Sequence, residues 1–350
     1  MANAPHFVTL GMFIIDEFSF TDQDGKPTGK TLPSQACTSS KPIGGGGTYA
    51  AIGARIWLPS HKVGMIVDRG NDFPQDIQDK LLSYGADMWH FRNRADRGTT
   101  RALNSYRGDS RGFQYLTPRI RLTPRDLHGT RFAWPKALHL ICSPTRALEI
   151  ISEVDEIHGW QPTMIFEPIP DRCVPEELPS LVKALPFISV LSPNAEEALS
   201  LLTISTPATV ESVEAAAVRF LDIGVGSLGQ GCVIIRSGAL GAYVATKANG
   251  GRWVDAFWTP HDSGKIIDVT GAGNSFLGGL AAGLLLAGGD FYEAAIYAAV
   301  SASFVIEQSG LPALSIRPET GREEWNHDLP HRRVNASRQR HFDKIRNKNH

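Results

Sequence analysis

The chain has 350 residues, 42% of them hydrophobic, with 35 Lys and Arg against 36 Asp and Glu and a net charge of −1. That hydrophobic share supports a sizeable buried core, and the balanced charge gives no global attraction to nucleic acid or to a membrane surface. No apolar stretch is long enough to span a bilayer, no secretory leader is expected, and Cys37, Cys142, Cys173 and Cys232 form no C-x-x-C pair, so the cytosol is the expected compartment and the nucleus the alternative.

Residues 8–15 (VTLGMFII) are a short apolar run with β-branched members, which predicts one buried strand ending at Asp16. Residues 20–42 are polar and turn-rich and are expected to project as a hairpin or loop. The glycines 44–47 lead into an Ala-rich helical stretch at 49–58. A second strand is predicted at 62–67, then a helix at 76–84 stopped by Gly85. Residues 92–118 carry many arginines between short alternating runs and read as further exposed strands or loops. Apolar strands at 138–143, 163–167, 187–192 and 232–236 then alternate with helical spacing at 146–158, 175–185, 195–202 and 210–223. This alternation implies a parallel sheet covered on both faces. Two helices, 274–286 and 291–308, follow, and residues after about 316 read as peripheral. Residues 331–350 hold seven Lys and Arg against one acid, Asp343. A terminus of that composition reads as a solvated extension, with nuclear import or polyanion binding as the sharper alternative.

The segment Asp268-Val269-Thr270-Gly271-Ala272-Gly273-Asn274-Ser275-Phe276 precedes an apolar helix. Small residues let successive backbone N–H groups converge, and the helix start adds its partial positive charge. Gly271, Ala272 and Gly273 are therefore candidates for an anion hole that grips a phosphoryl group. Asn194 and Glu197 lie at i, i+3 near a predicted helix start and share a face. They suit either an ordinary helix cap with Asn194 as N-cap or the ordering of magnesium-bound water. Asp16 suits a turn cap or an acceptor for two vicinal hydroxyls. His128, His139 and His158 have no partner at metal-ligand spacing and read as structural or surface residues. Ser143 and Ser192 each precede Pro outside any G-x-S-x-G, which gives hydrolase chemistry no support.

The 268–276 string resembles the C-terminal signature of the PfkB carbohydrate kinase family, D-x-T-G-A-G-D-x-F, through Asp268, Thr270, Gly271, Ala272, Gly273 and Phe276. Asn274 stands at the position of that family's catalytic base. The 44–47 run is similar to the N-terminal G-G signature, with Gly45 and Gly46 on the acceptor side and Thr48 where asparagine is usual. Asn194 and Glu197 match N-x-x-E, and Arg236, Ser237, Gly238 and Gly241 resemble the strand and turn that touch the nucleotide phosphates. The 167–171 stretch (EPIPD) and the G-A-G-N-S-F variant resemble the fungal maintenance-of-killer branch.

The resemblance spans about 7–316. It implies a three-layer α/β/α ribokinase-like sandwich with a mostly parallel central sheet and a small β lid from about 17–41 and 92–118, within a kinase domain over 1–318 and a peripheral basic tail over 319–350. It implies an ATP-dependent, magnesium-dependent phosphotransferase acting on a hydroxyl of a sugar, sugar-like or nucleoside substrate. Asp16 and Arg101 are then acceptor-side residues, Arg101 belonging to an arginine strip (Arg94, Arg97, Arg107) over the sugar. Glu197 and Asn194 hold magnesium through water, and Asp268 and Gly310 flank a monovalent cation such as potassium. Lid pairing allows a homodimer; neither nucleic acid nor membrane is an expected partner. An amide at 274 cannot accept a proton, so the alternative is a catalytically impaired relative that binds nucleotide or ligand and acts through a partner.

Overall fold

The apolar run at 8–15 divides between two sheets. In the computed structural model, which describes residues 4–22, 26–28, 43–107 and 110–348, β1 (Phe7–Thr9) lies in the central sheet and β2 (Ile14–Thr21) in the lid. The bend falls around Gly11, where an added Cβ would come 2.6 Å from Gly47 Cα. Both halves are buried, so hydrophobicity alone could not mark the break. Asp16, expected to end the first strand, is instead the third residue of β2.

The remaining strands are β3 (Ile43–Gly44), β4 (Val63–Gly70), β5 (Trp89–Arg94), β6 (Arg101–Arg107), β7 (Ser110–Tyr115), β8 (Ala137–Cys142), β9 (Thr163–Pro168), β10 (Val190–Leu191), β11 (Cys232–Arg236), β12 (Ala242–Thr246), β13 (Gly250–Val254), β14 (Leu314–Ile316) and β15 (Glu323–Trp325). The central sheet runs β13-β12-β11-β10-β9-β8-β1-β4-β5. All its neighbours are parallel except β11-β12 and β12-β13. That antiparallel edge was not anticipated, since Gly238, Gly241, Gly250 and Gly251 break the apolar pattern around it. Alternate residues face opposite layers: Phe7, Met65, Ile165 and Ile234 pack in one core, Val8, Ile66, Phe166 and Ile235 in the other. Helices Gly46–Arg55, Gln75–Leu82, Ala272–Leu286 and Phe291–Val305 contribute to the first. Helices Pro144–Asp155, Leu178–Ala184, Ala195–Leu201 and Val210–Ile223 contribute to the second. The result is the expected three-layer α/β/α sandwich.

The lid is the sheet β3-β2-β6-β7. Residues 92–94, expected in the lid, belong to β5 at the edge of the central sheet, where Arg92 and Arg94 pair with Asp68. Cys37 and most of the expected 20–42 loop lie outside the described residues.

The C-terminal segment packs against the body, where a solvated extension was expected. Trp325 is fully buried and stacks on Tyr84 at 5.8 Å, and Arg55 pairs with Glu323 at 2.5 Å. In helix Pro330–Lys348, buried Arg333 pairs with Asp328 at 2.9 Å and Glu307 at 2.8 Å, its guanidinium 3.7 Å from the Phe304 ring centre. Arg340 donates to the Phe257 carbonyl and Lys344 pairs with Asp255. The basic residues meet acids and carbonyls of the body, which is why a polar segment docks at all.

Candidate active site

Strand order reverses about β1: the chain proceeds outward through β4 and β5 on one side and through β8 and β9 on the other. In open parallel sheets such a switch point leaves a crevice at the carboxyl ends of the strands. Two cavities lie there. One, of about 540 Å³, is bounded by Asn194, Glu197, Arg236, Gly238, Gly241, Gly273 and Asn274 at its polar end and by Phe257, Trp258 and Ile306 at its apolar end. The other, of about 430 Å³, reaches from Met12, Gly46 and Ile141 to lid residue Tyr115, with Arg119, Arg121 and Arg146 on its wall. Gly46 lines the second and Asn274 the first, and a Cβ on Gly46 would lie 3.0 Å from Asn274 Nδ2. The cavities meet at this pair.

The Gly271-Ala272-Gly273 turn sits at the head of helix Ala272–Leu286. Gly271 has φ +78°, which glycine adopts without strain, and a Cβ there would overlap the Tyr49 ring. A Cβ at Gly273 would overlap Arg236 Nη1. The Ala272 N–H donates to the Val269 carbonyl, so it is not part of the anion hole as expected. The N–H groups of Gly271, Gly273 and Asn274 have no acceptor among the described residues. The N–H groups left without an acceptor among the described residues thus reach one residue further into the helix than the expected trio.

Asn194 and Glu197 form a reciprocal capping box: Asn194 Oδ1 accepts from Glu197 N at 2.8 Å, and Asn194 N donates to Glu197 Oε2 at 2.7 Å. The cap reading holds, and it leaves the Glu197 carboxylate as the group facing the cavity. Burial pushes that carboxyl up to about 7 despite Arg236 at 3.6 Å. Arg236 also pairs with Glu167 at 2.8 Å and donates to the Ser192 carbonyl at 3.0 Å. Glu167 in turn accepts from His139 Nε2 at 3.3 Å and Asn274 Nδ2 at 2.7 Å. Burial raises the Glu167 carboxyl, but Arg236, His139 and Asn274 outweigh it and hold it below the usual range.

Several expected residues fall elsewhere. Asp16 is buried against Gly44, whose Cβ would overlap its carboxylate, beside the second cavity without lining it. Gly45 takes φ +93° beneath the Met12 carbonyl. Thr48 is fully buried and lines neither cavity. Arg101 pairs with Asp72 at 2.6 Å and Glu17 at 3.4 Å, bracing the lid base instead of facing the acceptor cavity. Ser237 closes the turn to Gly241 through its backbone N–H at 2.7 Å. Asp268 accepts from Thr270 N at 2.9 Å and from Ser309 Oγ at 3.4 Å, next to Gly310. Among the described residues no group of three or more His, Cys, Asp or Glu is placed to hold a metal ion. No helix of the described residues is long and apolar enough to cross a membrane.

A family model of pfkB family carbohydrate kinases matches residues 129–316. The chain belongs to that family. It is 34% identical over 339 residues to an uncharacterized protein of Schizosaccharomyces pombe, covering 91% of this chain and 89% of that one. It is 36% identical over 327 residues to protein MAK32 of Saccharomyces cerevisiae, covering 87% and 85%. Among solved structures, an E. coli putative ribokinase II in complex with ATP and magnesium superposes with a TM-score of 0.63 at 19% identity, covering 96% of this chain and 99% of that one. This PfkB chain thus carries the ribokinase-like fold, and its likeness to MAK32 agrees with the resemblance to the maintenance-of-killer branch.

Site residues that the motif reading missed are Glu167 and His139, read as a branch marker and a structural histidine, and Arg119, Arg121 and Arg146. Of the arginines, only Arg121 has no carboxylate within ion-pairing distance among the described residues.

Proposed function

We propose that this protein transfers the γ-phosphoryl group of ATP to a hydroxyl of a sugar or nucleoside. The observation that carries this is the set of N–H groups at Gly271, Gly273 and Asn274, without acceptors among the described residues, at the junction of two cavities. One cavity has the size and apolar far end that a nucleoside needs, and its other end holds Glu197 and Arg236 beside the turn. The charge developing on a phosphoryl group in flight is what such donors stabilise. Glu197, with Asn194 committed to the cap, suits a magnesium ion that keeps its own waters better than an all-protein cage. Magnesium with the nucleotide supplies neutralisation of the phosphate charge. The E. coli putative ribokinase II, solved as a complex with ATP and magnesium, agrees with this reading. Asp268 with the Ser309-Gly310 turn remains the proposed place for a potassium ion, and lid pairing the proposed route to a homodimer.

The test is a thermal-shift titration with ATP and magnesium, followed by ADP release over a panel of pentoses, hexoses and nucleosides. Stabilisation by magnesium-ATP with turnover of at least one acceptor is expected. No ATP effect at saturating nucleotide would defeat the proposal, and ATP binding without turnover of any acceptor would favour the reading as a binding protein.

A further inference from the structure

Asn274 occupies the position of a carboxylate, and its amide is already committed. A carboxylate oxygen only accepts, so the 2.7 Å contact with Glu167 Oε2 fixes Nδ2 on that side. Oδ1 then points away, and no donor among the described residues holds it. Glu167 ends up beside the reaction point because β9 runs parallel to β8, opposite Ile141, beneath the start of helix Ala272–Leu286. A Cβ on Gly273 would stand 4.0 Å from Glu167 Oε1. Glu167 lines the nucleotide cavity together with Gly273 and Asn274. It is nine-tenths buried, and its three donors (Arg236, His139, Asn274) are those that favour an ionised carboxylate.

We propose that Glu167 is the carboxylate of the transfer step: the second N–H of Asn274 Nδ2 donates to the acceptor hydroxyl oxygen, which leaves the hydroxyl proton free to pass to Glu167 on the same side. The inference rests on the phosphotransferase reading above. The hydroxyl oxygen forms a bond to the γ-phosphorus. The bond from that phosphorus to its bridging oxygen breaks, and the electron pair leaves with ADP. The hydroxyl proton passes to Glu167 and returns to water when product departs. Nothing is oxidised or reduced. A base held in ionised form by three donors is weak, but the hydroxyl becomes strongly acidic as its bond to phosphorus forms, so a weak base suffices for a loose transfer. The negative charge of the site has moved one hydrogen bond, from the helix start to the strand end.

Installing the family's aspartate at 274 would set two carboxylates against each other across the present 2.7 Å contact, and such a pair shares a proton. The experiment compares wild type, Glu167→Gln, Asn274→Asp and the double variant Glu167→Gln/Asn274→Asp. ADP release from magnesium-ATP is followed over the same panel of pentoses, hexoses and nucleosides, D-ribose and adenosine among them, and with water alone as acceptor, alongside ATP affinity by calorimetry and Tm. Glu167→Gln is expected to slow turnover about 10²–10⁴-fold with ATP affinity little changed. Asn274→Asp is expected to be no faster than wild type, with the acid limb of its pH–rate profile moved to higher pH. The double variant is expected to recover most of the loss, with the acid limb restored. Full turnover in Glu167→Gln, or Asn274→Asp outrunning wild type, would overturn the inference and leave the phosphotransferase reading standing. ATP binding without turnover in all four proteins, or no ATP binding by wild type, would end both.

Discussion

The two cavities share a wall at Gly46 and Asn274 but are made of different materials. The cavity proposed for the nucleotide draws its polar end largely from turns and helix starts, a glycine turn at 271–273, a capping box at 194–197 and a tight turn at 237–241, with Glu197 and Arg236 beside them. The acceptor side is built from side chains and a lid, with Arg119, Arg121, Arg146 and Tyr115 drawn from separate loops, strands and helices. On the proposed function, main-chain groups meet what every phosphoryl transfer shares, and side chains choose the molecule that receives it. Of the departures from the family pattern, Asn274 lies on the shared wall, which is where a change of acceptor would be written, while Thr48 is buried in helix Gly46–Arg55, two residues after Gly46.

Four substitutions probe that division. The greatest loss is expected for Gly273→Asp, since its side chain would collide with Arg236 and bring charge into the hole. Turnover should fall by at least about 10²–10³-fold, the scale of a lost oxyanion donor, and magnesium-ATP should no longer raise Tm. An unchanged ATP shift would mean the nucleotide does not use this turn. Asp16→Ala, which removes the carboxylate packed on Gly44 beside the second cavity, should lower kcat/KM for the acceptor about 10- to 100-fold by letting the Gly44–Gly46 segment shift, the scale of a displaced positioning group, with ATP affinity unaltered. Equal losses on both substrates would erase the distinction between the sides.

Glu197→Gln tests the nucleotide side by pH. The Glu197 proton is held up to about 7 against an ordinary 4.5. The folded state therefore binds the extra proton between those values, and the apo protein loses stability as pH rises from 4.5 through about 7. Magnesium-ATP binding should strengthen up to about tenfold from pH 6 to pH 8 as that proton leaves. Glu197→Gln should flatten both trends; a persisting slope would point to another group. The mildest change is expected for Arg121→Ala. Removing this cation, which has no carboxylate partner among the described residues, should raise KM for an anionic acceptor by about threefold to tenfold, the weight of an exposed charge contact, and leave neutral acceptors alone. Equal changes for both would make Arg121 a packing residue.

The same contrast explains what the sequence discloses. The 268–276 string is contiguous, so its turn chemistry and helix start are readable by spacing alone. The alternation of strands with helices from 138 to 236 fixes the parallel sheet for the same reason. Glu167 is different: its contact with Asn274 spans 107 residues and exists only because β9 ends beneath a distant helix. His139 is found the same way, through Glu167. Arg94 and Arg101 look exposed in the sequence because their partners, Asp68 and Asp72, come from β4 and the turn after it. The basic tail looks solvated because composition cannot show that Glu307, Asp328 and Glu293 await Arg333 and Arg338. The one signal within reach was that Trp325, a large apolar residue, sits in a segment otherwise read as polar.

Helices Gly46–Arg55 and Ala272–Leu286 touch backbone to backbone, since Gly53 lies on the Ser275 carbonyl and Gly278 on the Ala50 carbonyl. With no side chain between them at these two crossings to act as a bearing, neither can slide or roll without the other. The N–H groups proposed for the phosphates and Gly46 on the shared wall of the cavities therefore travel as one plate. Any adjustment to acceptors of different size falls to the four-stranded cover, and swapping that cover between relatives should change which alcohol is used while the phosphate grip stays in register.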